Sequence, residues 1–217
     1  MVQVVLFHSA YGLRQAEAGA AARLRAAGHD VITPDLYGGQ TASTLDAALA
    51  LMGTVGWAAI CARARRALEV VPGPAVMAGF SMGAGVIGSV WDQRPATAGV
   101  VLLHGIAPIP ASARPGLPVQ VHLAGDDPFA TRPDVAQWQA DAGQAGLAAQ
   151  VFTYPGAGHF YTAPGPADHH PAAADQTWQR VTAFLSALPG RDRFAGRGCG
   201  ASHRCGTTRP HQRWEPP

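Results

Sequence analysis

Lysine is absent from the 217 residues, so every side chain of fixed positive charge is arginine, and charged types make up only 14%. Residues 1–187 hold ten Arg against twelve Asp and Glu, a net −2, whereas residues 188–217 hold six Arg against two acids, a net +4. A slightly acidic body is not a basic surface for nucleic acid, and no nucleic-acid partner is expected. No apolar run approaches the ~18 residues that span a bilayer, so no membrane role is expected either. Cysteine is nearly missing, with Cys61, Cys199 and Cys205 alone, which is too few for a disulfide framework. No basic leader precedes the apolar residues 2–7, so the expected location is cytoplasmic. Apolar types make up 47%, enough for one well-filled core.

Short β-like runs alternate with helical stretches. Residues 2–8, 29–34, 74–80, 98–104, 118–123 and 148–154 read as strands. Residues 15–27, 45–52, 57–71, 82–91, 133–145 and 172–188 read as helices, with Gly28 stopping the first. Such alternation predicts an α/β fold, a mostly parallel sheet covered by helices on both faces. From residue 188 onward the chain turns to Gly, Arg, Pro, Ser and Thr, too few apolar groups to offset ordering entropy, so it reads as a disordered tail. The organisation is then one domain over 1–187 followed by that tail.

Gly79-Phe80-Ser81-Met82-Gly83 is a G-x-S-x-G pentapeptide. The pattern by itself is weak in a glycine-rich chain, but here a strand precedes it and an apolar helix follows. A serine on such a sharp strand-to-helix bend holds its hydroxyl clear of the backbone, and the tight turn needs glycine on both sides. The plainer alternative is a βα turn in which Ser81 only caps the helix.

A nucleophilic serine needs a base, and the base needs an acid to orient it. The strand 118–123 empties into Gly125-Asp126-Asp127-Pro128-Phe129, and the strand 148–154 into Pro155-Gly156-Ala157-Gly158-His159-Phe160. Asp127 is the preferred acid, with Asp126 as the alternative, and His159 is the base. His122 lies inside a strand and reads as a core histidine; His104 ends a strand but precedes both acids. The amide of Met82, with that of Ser9 or Ala10 in the loop after the first strand, would form the oxyanion hole. Tyr11, Phe129, Phe160 and Tyr161 flank these loops and are candidate walls of an apolar substrate pocket. Trp57, Trp91, Trp138 and Trp178 read as packing residues. His169 with His170, and Cys199, His203, Cys205 and His211 in the tail, match no usual ligand spacing, so no metal is expected.

Together these segments resemble the dienelactone hydrolase family of the α/β-hydrolases. The likeness rests on Tyr11-Gly12, Pro34-Asp35-Leu36-Tyr37, the Gly79–Gly83 bend and the two downstream loops, and it covers about residues 1–187. It implies a compact α/β-hydrolase fold without a large lid domain and without a required cofactor. Members that open dienelactones generally carry Cys where this chain has Ser81, an acid where it has Ser9, and an Arg soon after the histidine, where the next here is Arg180.

The expected activity is therefore that of a serine esterase or lactonase acting on a small molecule. A thioesterase or acyltransferase with the same three residues, or a non-catalytic binding module on the same fold, are the alternatives. A nucleotide-binding protein is disfavoured, because no G-x-G-x-x-G follows the first strand.

Overall fold

The computed structural model of the chain describes residues 1–164 and 168–190. The tail beyond residue 190, with Cys199, His203, Cys205 and His211, lies outside the described residues.

Six strands form one sheet: β1 (Gln3–Phe7), β2 (Asp30–Ile32), β3 (Ala75–Phe80), β4 (Thr97–Leu103), β5 (Pro118–Ala124) and β6 (Ala148–Tyr154). Their order is β2-β1-β3-β4-β5-β6, and every pairing is parallel. Among the described residues the α-helices are α1 (Gln15–Ala26), α2 (Leu45–Val55), α3 (Trp57–Glu69), α4 (Met82–Val90), α5 (Arg132–Gln144) and α6 (Pro171–Ala187).

The sequence pattern explains the layering. Parallel strands connected by helices are buried on both faces, so they are apolar throughout rather than alternating. All residues of β1 and of β3 are buried. Because side chains alternate across the sheet, Val5, Phe7, Met77, Val100 and Leu102 meet α3, α4 and α5 on one face. Val4, Leu6, Val76, Ala78 and Val101 meet Leu24 of α1 and Trp178, Val181 and Leu185 of α6 on the other. The result is an α/β/α sandwich, the α/β-hydrolase architecture, with no second domain inserted among the described residues.

The differences from expectation are local. β2 spans three residues rather than six, since it is an edge strand paired only with residues 3–5 of β1. α2 continues to Val55, where Gly56 at φ +81° turns the chain into α3. Trp57 is 43% exposed, yet its ring covers Gly85, where an added Cβ would stand 3.3 Å from it. No single helix among the described residues is long and apolar enough to cross a membrane.

Candidate active site

The bend after β3 is set by crowding. A Cβ on Gly79 would lie 2.5 Å from the carbonyl carbon of Gly83, and one on Gly83 would lie 2.6 Å from the carbonyl oxygen of Phe7. Only hydrogen fits at either position. Ser81 between them adopts φ +50°, a region costly for any residue with a Cβ. Its amide is held by the carbonyl of Leu103 at 2.7 Å. The Ser81 side chain makes no capping bond to α4, which disposes of the simple cap.

Instead Ser81 Oγ stands 2.9 Å from His159 Nε2. On the other side of the ring, His159 Nδ1 donates to Asp127 Oδ2 at 2.7 Å and approaches Oδ1 at 2.9 Å. A carboxylate only accepts, so it fixes the proton on Nδ1 and leaves Nε2 to accept the serine proton. Asp127 is 3% exposed, and its Oδ1 also accepts the Phe129 amide at 2.9 Å. Asp126 points elsewhere: it pairs with Arg132 at 2.8 Å, both side chains largely exposed. The three residues come from the carboxyl ends of β3, β5 and β6, the edge where an open α/β sheet gathers its ligands.

The loop bearing His159 is fastened at several points. Phe160 donates its amide to Asp168 at 3.2 Å, and Asp168 packs so closely that Gly158 has no room for a Cβ. His169 Nδ1 donates to the carbonyl of Tyr161 at 3.0 Å, and His170 caps α6 by accepting from the Ala173 amide. The His169–His170 pair is therefore occupied in holding backbone. Tyr161 is wholly buried, its hydroxyl 2.8 Å from that of Thr177 in α6, so it supports the loop from behind rather than walling a pocket. Phe160 and Phe129 do reach His159, with ring centroids 4.6 and 4.7 Å from that of its imidazole. Tyr11 packs edge-on against Phe160 at 5.1 Å.

Behind His159 lies His104, at φ +59° and 1% exposed, its Nε2 2.9 Å from Thr162 Oγ1. Burial, and then the neighbouring His159, push its pKa well below the usual histidine range, so it is neutral. His122 is neutral too, its pKa brought to about 3 by burial and then by Arg180. Arg180 donates to Tyr154 Oη, which lies 2.9 Å from His122 Nδ1. That arginine is thus taken up by Tyr154 and the face of the Phe152 ring on β6.

In the loop after β1, His8 is locked as a neutral tautomer. Its Nδ1 donates to the carbonyl of Ser9 at 2.7 Å, while its Nε2 accepts the Leu36 amide at 2.9 Å. Burial lowers its pKa accordingly. Ser9 is committed as well. Its amide donates to Glu17 at 3.3 Å and its hydroxyl at 2.9 Å, so the Ser9 amide is not directed at a substrate. The amide of Ala10, a residue 7% exposed, has no acceptor among the described residues, and Met82 begins α4, where helix amides have no internal acceptor. Tyr37, from the Pro34–Tyr37 motif, sets its hydroxyl 3.1 Å from Met82 Sδ and remains protonated, its pKa raised to about 12 by burial.

Glu17 was not apparent from the sequence. Its only signal was an acidic residue in the first turn of α1, which reads as ordinary helix capping. Among the described residues no three His, Cys, Asp or Glu side chains converge as a metal-binding group.

A parallel six-stranded sheet with a bent serine turn and these two loops at its carboxyl edge defines an α/β-hydrolase. The profile of the dienelactone hydrolase family matches residues 1–188, and the chain belongs to that family, which supports its being a hydrolase. Among solved structures it resembles a dienelactone hydrolase-like promiscuous phosphotriesterase from metagenomic libraries. That likeness has a TM-score of 0.73 at 19% identity and covers 87% of each chain. It also resembles a cold-adapted esterase from an Arctic intertidal metagenomic library, with a TM-score of 0.60 at 20% identity over 85% of this chain and 82% of that one. Among curated proteins none matches the sequence significantly.

Proposed function

We propose that this protein is a serine hydrolase that cleaves a small carboxylic ester or lactone through an acyl-enzyme. The observation that carries the reading is the continuous line from Ser81 Oγ through the His159 ring to the buried Asp127 carboxylate. His159 Nε2 takes the hydroxyl proton as Ser81 Oγ attacks the carbonyl carbon, and Asp127 stabilises the imidazolium. The developing oxyanion is met by the amides of Met82 and Ala10, the latter supported by the commitment of Ser9 to Glu17. The tetrahedral intermediate collapses, the carbon–oxygen bond to the leaving group breaks, and His159 returns the proton to the departing oxygen. In a second round His159 takes a proton from a water that attacks the acyl carbon, and as the bond to Ser81 Oγ breaks His159 returns that proton to Oγ, releasing the acid.

The test is hydrolysis of p-nitrophenyl acetate at pH 7–8 by wild type and Ser81→Ala, beside labelling with a fluorophosphonate. Turnover and labelling that both vanish in the variant support the proposal. A wild type that neither turns over nor labels refutes it and favours a binding role on the same fold.

A further inference from the structure

A groove of about 380 Å³, lined by residues of the segment after β4, Phe129 and α5, has no part in the proton transfers above. It runs between the segment that follows β4 and the exposed side of α5. Ile106, Ile109, Phe129 and Trp138 give it an apolar lining, and Asp134 and Asp141 stand along one wall. Another hollow of about 400 Å³, lined by Pro74, Pro95 and Pro118, lies at the opposite ends of the strands, away from Ser81.

Two contacts join the groove to the reacting atoms. Gly105, immediately before Ile106, abuts the nucleophile: a Cβ there would stand 3.6 Å from Ser81 Cα and 3.5 Å from its carbonyl oxygen. On the facing side, the Phe129 ring lies 4.7 Å from that of His159. The floor of the groove is apolar, and its polar wall is closed on itself where Gln137 donates to Asp141 at 2.9 Å. Trp138 spends its Nε1–H on the carbonyl of Ala107 at 2.8 Å, so no donor of that ring is left for a ligand. Phe129 is 55% exposed, a large apolar surface that an occupant would cover. The charge is of one sign. No arginine is among the residues lining the groove, and nearby Arg132 is paired with Asp126.

We propose that this groove receives the acyl arm of the substrate, selecting a neutral or cationic apolar acyl chain over one that ends in a carboxylate. The acyl group is the part that stays bonded to Ser81 Oγ, and Gly105, which packs on Ser81, is followed in the chain by Ile106 of the groove. Apolar walls reward chain length, while Asp134 and Asp141 repel a terminal carboxylate. This inference rests on the acyl-enzyme reading above.

The experiment compares p-nitrophenyl acetate with the hexanoate, and two esters of matched length whose acyl chains end in carboxylate or trimethylammonium. Wild type, Ile109→Trp, Ile109→Asp and Asp141→Arg are measured. The hexanoate-to-acetate ratio of kcat/KM should exceed about tenfold in wild type and fall about tenfold or more when Ile109 is changed. The cationic-to-anionic ratio should be above one and fall several-fold in Asp141→Arg, most clearly at low salt. Should Ile109→Trp fail to fold, Ile109→Asp gives the same readout without added bulk. Ratios that none of the variants moves, in a wild type that cleaves acetate in a Ser81-dependent way, overturn the groove assignment alone. Absence of Ser81-dependent cleavage of any of these esters instead overturns the hydrolase reading on which it rests.

Discussion

Glu17 takes both donors of Ser9, the amide at 3.3 Å and the hydroxyl at 2.9 Å, and also accepts the Arg14 amide at 3.1 Å. One buried carboxylate thereby ties the start of α1 to the loop that carries the Ala10 amide. Glu17→Ala would leave these donors unpaired in a site that is 3% exposed, costing about 1–3 kcal/mol. Urea unfolding should show the loss, and ester turnover should fall with it as the loop loosens. An unchanged unfolding midpoint would mean that the carboxylate does not anchor the loop.

The two adjacent aspartates should behave very differently. Asp127→Asn removes the acceptor that fixes the proton on His159 Nδ1, and kcat should fall by roughly 10⁴, the loss seen when an orienting Asp becomes Asn in a related triad. Asp126→Asn breaks only an exposed ion pair, and its activity should stay close to that of wild type. Steady-state kinetics on one ester decides; the reverse ranking would move the acid by one residue.

Gly83→Ala should be costly although the change is a single methyl group. Its Cβ would stand 2.6 Å from the Phe7 carbonyl oxygen and 2.9 Å from that of His8, both rigid backbone atoms. The expected loss is about 1–3 kcal/mol, the usual scale of overpacking, read as a lower melting temperature. Gly53→Ala, where nothing lies within 4 Å of the added carbon, should be neutral or slightly stabilising.

Acid should destabilise the fold from mildly acidic pH downward. His8, His104 and His122 are held neutral by burial, with pKa values below those of the unfolded chain, that of His122 at about 3. The unfolded state therefore binds these protons first. Stability is fully present above pH ~6.5 and is lost as pH falls from there toward about 3. Chemical unfolding at pH 7 and pH 5 should show the drop. His122→Phe, less stable at pH 7 because Tyr154 loses a partner, should show a shallower slope; an equal slope would exclude His122 as a contributor.

Strand and helix order were legible because the central runs of β1, β3 and β4 are almost wholly apolar, the mark of strands buried on both faces, and turn residues separate them from the helical stretches. The glycines of the bend were legible too, since a serine on a sharp strand-to-helix turn demands them. Local composition reached no further than this. Asp126 and Asp127 are chemically identical neighbours; only the direction of the chain leaving β5 turns one toward His159 and the other toward Arg132. Tyr161 adjoins Phe160 in sequence, yet α6 claims its hydroxyl through Thr177 and draws it out of the pocket.

By itself, then, the sequence determined the α/β order, the sharp turn at Ser81 and the kinds of residue available at each strand end. The tertiary structure decided which of them meet. It spent the Ser9 amide on Glu17, tied Arg180 to Tyr154, and opened an acid-walled groove between Ile106 and Phe129. The physical reason is that propensity and periodicity act over a few neighbouring residues. Hydrogen-bond commitments and surface grooves arise between segments far apart in the chain, and they exist only once the sheet has brought those segments together.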